Sequence, residues 1–260
     1  MKSNPNIGLI IPTRYHSERL PGKVLIDING KSNLERIIER ANQSKYIKKI
    51  ILAVSEGDCA EILNWYSTIH NEDRNTKVNM YSGNHNNIFQ RTLNAAHTFN
   101  IDIIVDISHC CSLFDPFLAD RLIEDLMYYK ADYSANCITR SFPDGFDIQV
   151  YTTEVYGETY MHGLYWKPYW TGWNIWHCRE NLNPKPRIIN MQAKPEHYFP
   201  EWRLTLDTLE DLKVITEIYK HFEGIHFHYD EVINYLQENP ELLKINNKIQ
   251  ATKLEAEPCK

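Results

Sequence analysis

The sequence predicts an α/β protein, a three-layer α/β/α sandwich of Rossmann-like kind built on a mainly parallel mixed sheet. Two observations carry that prediction. Apolar runs at 7–11, 49–54, 77–81 and 102–107 alternate with helical patterns at about 33–44, 58–68 and 86–98. Alternation of this kind requires crossovers that lay helices on both faces of a parallel sheet. The chain also has 260 residues, enough to hide about 70–75% of its unfolded surface around one such core. We therefore read residues 1–260 as a single domain, with no linker or internal repeat to divide it.

The elements follow in order. The first strand, 7–11, runs into a loop rich in cations. In the first helix Leu34, Ile37, Ile38 and Ala41 recur at helical spacing, with charged residues on the opposite face. Asp115 is placed to cap a helix over 116–130, with Pro116 at its first position. Strands are predicted at 132–138 and 146–151, around a turn at Pro143-Asp144-Gly145. Residues 160–178 form an aromatic belt: Tyr160, Tyr165, Trp166, Tyr169, Trp170, Trp173 and Trp176. Strands at 187–192 and 203–206 come next. A helix over 208–221, capped by Thr208 with Asp211 three residues on, and another over about 230–238 complete the reading.

Charge and composition exclude several classes of function. A net charge of −6 provides no basic field for nucleic acid. No apolar stretch approaches the roughly 20 residues that span a bilayer, and the first residues lead into a strand rather than a signal-peptide core. The six cysteines form no CxxC pair, which argues against structural zinc or a disulfide framework. Reduced cysteines in a cytoplasmic protein are the expectation.

The chemistry concentrates in the first loop, where Arg14, Arg19 and Lys23 follow an N-terminal strand within ten residues. In open α/β sheets ligands sit at the carboxyl ends of the strands. Guanidinium groups grip phosphate oxygens in bidentate fashion and an ammonium adds a mobile charge. The spacing points to a nucleoside triphosphate. It is not a Walker A loop, because the upstream glycine and the following Ser/Thr are missing.

Arg14, Ser17, Arg19, Leu20, Pro21, Gly22 and Lys23 closely resemble the N-terminal signature of cytidylyltransferases that activate acidic sugars. The nearest branches are the spore-coat-polysaccharide cytidylyltransferases and the CMP-KDO and acylneuraminate synthetases. Thr13 replaces the usual alanine. Three further segments in the same order extend the resemblance: Ser82-Gly83 with Asn87 to Arg91, Phe142 to Val150, and Arg203 to Leu212.

The resemblance implies the nucleotide-diphospho-sugar transferase fold, related to GT-A folds, and transfer of CMP from CTP to an acidic or other sugar for surface polysaccharide, releasing pyrophosphate. It implies that Arg14 and Lys23 neutralise charge at the reacting phosphates. Pro12, Thr13, Arg14, Arg19, Lys23, Ser82, Arg91 and His109 would surround the nucleotide. Asp144, Gln149, Trp173 and Asn174 would face the acceptor. Residues 132–200 become an acceptor-side or dimerisation subregion, since interleaved Tyr and Trp suit either a sugar face or a homodimer interface.

Asp207 ends the predicted strand at 203–206, where its hard oxygens would hold Mg²⁺ beside the triphosphate. The alternative is a helix cap, a task Thr208 can perform. At 105–116 the chain departs from the family pattern, placing Ser108, His109, Cys110, Cys111 and Ser112 where Thr, Gly, Asp, Cys and Pro are usual. Cys110 thus stands at the second metal position, and a thiol is a poor Mg²⁺ ligand. Asp106 in its place, Asp207 alone, a softer ion on His109 and Cys110, or binding without turnover are the open outcomes. A catalytically impaired homologue is therefore the alternative function. A GT-A glycosyltransferase is a weaker one, because no Asp-x-Asp metal motif follows a strand.

Overall fold

The computed structural model describes residues 4–72, 78–163 and 171–249. A seven-stranded sheet runs through its centre. It is built from β1 (Ile7–Thr13), β4 (Lys49–Ser55), β5 (Val78–Gly83), β6 (Ile103–Asp106), β7 (Tyr133–Ala135), β8 (Gln149–Thr152) and β9 (Ile188–Asn190). A two-stranded ribbon, β2 (Asp27–Ile28) and β3 (Lys31–Ser32), follows the first loop. Its turn places Asn29 and Gly30 at positive φ, the Asn-Gly geometry that suits a tight hairpin.

The sheet order is β5-β4-β1-β6-β8-β7-β9. β1 pairs in parallel with β4 and β6, β4 with β5, and β7 with β9. β8 alone runs against its neighbours β6 and β7, so the sheet is mainly parallel and mixed, as predicted. The chain builds outward from β1 through β4 to β5, then returns to add β6 on the other side of β1. That reversal makes a crevice beyond the carboxyl ends of β1 and β6, the place where such folds bind ligands.

Alternation along β1 divides the core. Ile7, Leu9 and Ile11 face one side, with Leu34, Ile37 and Ile38 of α1 (Asn33–Ala41) and Leu122 and Ile123 of α4 (Pro116–Tyr128). Ile10 faces the other side, with Phe89 and Leu93 of α3 (Ile88–Thr98) and Tyr156 of α5 (Thr153–Met161). A third cluster joins α7 (Leu209–His221) and α8 (Tyr229–Glu238) to Phe142, Phe146, Leu204 and Leu206. It holds two loops against the crevice. Among the described residues no helix is long and apolar enough to cross a membrane.

Two predictions need correction. Residues 203–206 form no strand. Arg203 makes a single bridge with Asp144, and Leu206 N–H donates to Cys110 C=O at 2.9 Å. Its neighbours on both sides are loops, so no continuous ladder is available. Residues 153–161, assigned no element, are helical in α5, capped by the Thr152 hydroxyl accepting from Val155 N–H. Of the aromatic belt, Tyr165, Trp166, Tyr169 and Trp170 lie outside the described residues, while Trp173 opens the short α6 (Trp173–Cys178).

Candidate functional site

The crevice holds a cleft of about 430 Å³, lined by Pro12, Arg14, Arg19, Lys23, Arg91 and His109 on one side and by Cys110, Asp144, Gln149, Trp173 and Asp207 on the other. Sequence-distant segments thus converge on one cleft. A second cleft of 690 Å³ abuts it and shares the wall formed by Cys110, Asp144, Asp147 and Asp207. Both volumes suit small-molecule sites.

The cationic side is tightly organised. Leu20 is buried, and Gly22 lies at φ +66° with the Tyr15 hydroxyl 3.3 Å from where a Cβ would sit, a turn that suits glycine just before Lys23. Lys23 is 5% exposed, and its ammonium donates to Asp207 Oδ1 at 2.6 Å. Arg19 lies 3.0 Å and Arg203 3.5 Å from Asp207 Oδ2. Burial by itself would raise the Asp207 carboxyl, but Lys23, Arg19 and Arg203 together hold it below its ordinary value. Arg14 is exposed at the rim. A polyanion entering here exchanges its oxygens for the Asp207 carboxylate on cations already in place.

His109 closes the floor. Its Nδ1 lies 3.0 Å from Pro12 C=O, an acceptor only, so Nδ1 carries the proton. Burial first, then Lys23 and Arg14, push its pKa down to about 3, so the ring is neutral. Asn33 Nδ2 donates to His109 C=O at 2.8 Å, anchoring this segment to α1. Arg91, 2% exposed, donates to Ala53 C=O at 3.1 Å and Asn84 C=O at 2.7 Å, tying the ends of β4 and β5 together beside the cleft.

The opposite wall is acidic and mixed. Arg140 grips Asp147 through two hydrogen bonds of 2.7 Å. Arg203 grips Asp211 in the same way at 2.9 and 2.8 Å, and its other nitrogen is 3.6 Å from Asp144. Asp106 accepts from Tyr151 O–H at 3.0 Å and from Gly172 N–H at 3.3 Å, and burial raises its pKa. It therefore anchors the 171–173 segment over the cleft from within the strand. Gln149 Oε1 accepts from Tyr133 O–H at 2.6 Å.

Three expected site residues lie elsewhere. Thr13 is buried, its hydroxyl donating to Ile11 C=O at 2.8 Å. Ser82 sits on edge strand β5, two strands from β1, with its hydroxyl 3.1 Å from Cys59 Sγ. Asn174 is fully buried in α6. Sequence reading assigned no role to Asp147, Arg140 or Arg203. Asp147 and Arg203 lie in the Phe142–Val150 and Arg203–Leu212 segments and Arg140 two residues before the first, but only the fold shows that these two segments face each other.

Of the two positions expected to hold Mg²⁺, Asp207 presents suitable hard oxygens and Cys110 does not. Cys110 Sγ lies 3.0 Å from the Ser108 hydroxyl, and its thiol is lowered by a hydrogen bond with Cys111, against burial and with help from Lys23. Among the described residues no three His, Cys, Asp or Glu side chains gather as a metal cage. This donor set fits an ion that arrives on a triphosphate, which takes one or two carboxylates, phosphate oxygens and waters.

Comparison with known proteins agrees with this geometry. The family model described as Cytidylyltransferase matches residues 9–143. An uncharacterized protein of Methanocaldococcus jannaschii is 27% identical over 251 residues, 93% of this chain and 94% of that protein. The 3-deoxy-manno-octulosonate cytidylyltransferase of Geobacter sulfurreducens is 28% identical over 121 residues, 46% of this chain. That match spans only 45% of the Geobacter enzyme's length. Among solved structures, a cytidylyltransferase from Leptospira borgpetersenii superposes with a TM-score of 0.79 at 26% identity, covering 95% of this chain and 98% of that one. A CMP:2-keto-3-deoxy-manno-octonic acid synthetase complexed with CTP shares the fold, with a TM-score of 0.57 at 17% identity over 83% of this chain and 99% of that one.

Proposed function

The chain belongs to the cytidylyltransferase family, and from that premise we propose that it transfers CMP from CTP to a hydroxyl of an acidic sugar, releasing pyrophosphate. The observation that carries this reading is the pair of adjoining clefts. One is lined by Arg14, Arg19 and Lys23, and the other meets it at a single wall. Two compartments meeting at one wall are what a triphosphate and its acceptor require. Family membership also favours nucleotidyl transfer over the glycosyltransferase alternative.

In this mechanism Arg14 and Arg19 bind the triphosphate and Lys23 turns from Asp207 to the α-phosphate. There the three cations stabilise charge as it develops, and rate enhancement comes from positioning and electrostatics. His109 stays neutral and adds no competing charge. Mg²⁺, held by Asp207, would supply further charge neutralisation on the phosphates. The acceptor occupies the larger cleft, with Asp144 at its junction with the nucleotide cleft, which Gln149 and Trp173 line. Surface-polysaccharide assembly in the cytoplasm is the setting we infer from the resemblance.

Pyrophosphate release, measured with each of the four nucleoside triphosphates against a panel of acidic sugars, tests the proposal. Turnover with CTP and one acidic sugar is expected. Tighter binding of ATP or GTP than CTP overturns the cytidylyl assignment, and CTP binding without turnover favours the impaired homologue.

A further inference from the structure

Three carboxylates, Asp144, Asp147 and Asp207, line the wall shared by the two clefts, and their surroundings differ. Asp147 is held by both arms of Arg140. Asp207 is held by Lys23 at 2.6 Å and Arg19 at 3.0 Å. Asp144 has a single ion pair among the described residues, at 3.6 Å to Arg203, whose guanidinium is already committed to Asp211. It is the carboxylate at the junction with the most basicity left.

Its backbone is held on both sides. Asp144 N–H donates to Trp202 C=O at 3.0 Å and its C=O accepts from Leu204 N–H at 2.7 Å. Gly145, at φ +113°, lies so close to this segment that an added Cβ would collide with the Leu204 carbonyl. Phe142 and Phe146, on either side of the turn, are buried in the third core cluster. A side chain fixed in this way, facing both compartments, is preorganised for proton transfer between their occupants.

We propose that Asp144 is the general base that takes the proton from the attacking sugar hydroxyl. The inference rests on the CMP-transfer reading above. As the hydroxyl oxygen forms its bond to the α-phosphorus, the proton passes to an Asp144 oxygen. The bond from the α-phosphorus to the bridging oxygen breaks, and pyrophosphate leaves with that electron pair. Asp144 then returns the proton to solvent through the larger cleft.

The charged and titratable groups around Asp144 agree with this role. Asp147 and Arg140 face it from its own loop, Cys110 and Cys111 from the segment after β6, Arg203, Asp207 and Glu201 from the 201–207 stretch, and Lys23 from across the cleft. Burial first, then Asp147, raise its carboxyl to about 6, against Arg140 and Arg203. Such a group is ionised at neutral pH and still basic enough to accept a proton.

The test compares Asp144→Asn, Asp144→Glu and the wild type, by steady-state kinetics from about pH 5 to about pH 9 and by CTP titration. For the wild type, kcat should fall on the acid side with an apparent pKa near 6. Asp144→Asn should lose about 10²–10³-fold in kcat and lose that limb, while CTP affinity stays within about threefold. Asp144→Glu should restore part of kcat together with the limb. If Asp144→Asn does not fold, the wild-type limb and the Glu variant decide the matter. An Asn variant within about threefold of wild-type kcat, or one that keeps the acid limb, overturns the base alone. Wild-type protein that binds CTP but releases no pyrophosphate with any acidic sugar overturns the functional reading and the base with it.

Discussion

The cleft has two walls made in different ways. The cationic side comes largely from one continuous stretch, β1 and its loop through Lys23, and its cations lie within ten residues of sequence. The opposite side is assembled from residues 106–111, 140–149, 171–173 and 201–211, brought together by backbone bridges such as Asp144 with Arg203. The difference separates charge supply from charge tuning. The local loop delivers cations whatever lies opposite. The assembled wall decides which carboxylate is neutralised, which stays basic and where a thiol replaces an acid.

Removing the local wall's central cation should break the comparison most severely. Lys23→Met is expected to lower kcat/KM for CTP by about 10²–10³-fold, as loss of one preorganised donor at a reacting centre does. Lys23 is buried against Asp207, but Arg19 and Arg203 stay on that carboxylate, so stability should also fall by about 1.5–3 kcal/mol, read by urea denaturation. A variant that loses neither would remove Lys23 from the site.

The assembled wall should fail through its backbone. Gly145→Ala puts a Cβ into the Leu204 carbonyl at a positive φ, costing roughly 1–3 kcal/mol or more in strain. We expect a lowered Tm and reduced kcat, with CTP affinity maintained because the first loop is untouched. Equal loss of CTP affinity would show that the two walls are not separable in this way.

Cys110→Asp sharpens the comparison at the shared wall. A hard oxygen donor there should tighten the apparent Mg²⁺ requirement about tenfold, or 1.4 kcal/mol, measured as the Mg²⁺ concentration at half-maximal rate. No change would mean that Asp207 and the phosphates already satisfy the ion.

The smallest expected effect is the opposite pH response of two nearby acids. Asp207 sits below its ordinary pKa, so its stabilisation is complete above the unfolded value of about 4 and is lost as pH falls through the lower folded value. Asp144 is raised to about 6, so its ionisation costs stability as pH climbs from about 4 to about 6. Relative to wild type, Asp144→Asn should grow more stabilising over that interval, whereas Asp207→Asn should grow more destabilising as pH rises from strong acid to about 4. Urea denaturation across the range checks both signs.

Much of the site was legible because several cues are local. Strand β1, the cations after it, the Thr208 cap and the Asp115-Pro116 helix start all depend on neighbours within ten residues. The Asn29-Gly30 hairpin was equally local and was overlooked. Other positions were misjudged because their environment is not local. Ser82 follows the family motif, yet strand order puts β5 at the sheet edge. Residues 203–206 have the alternation of a strand but lie between loops, with no ladder to join.

From sequence alone came the α/β class, the cationic loop, the cytidylyltransferase resemblance and the substitution of Cys110. Each is written in residue types and short spacings, where propensity and charge act directly. Only the tertiary structure decided that Asp147 is clamped by Arg140, that Asp207 is held by Lys23 and Arg19, and that Asp144 is left basic between two clefts. The basicity of a carboxylate depends on distances to charges and on burial. Those are set by which distant segments the fold packs together.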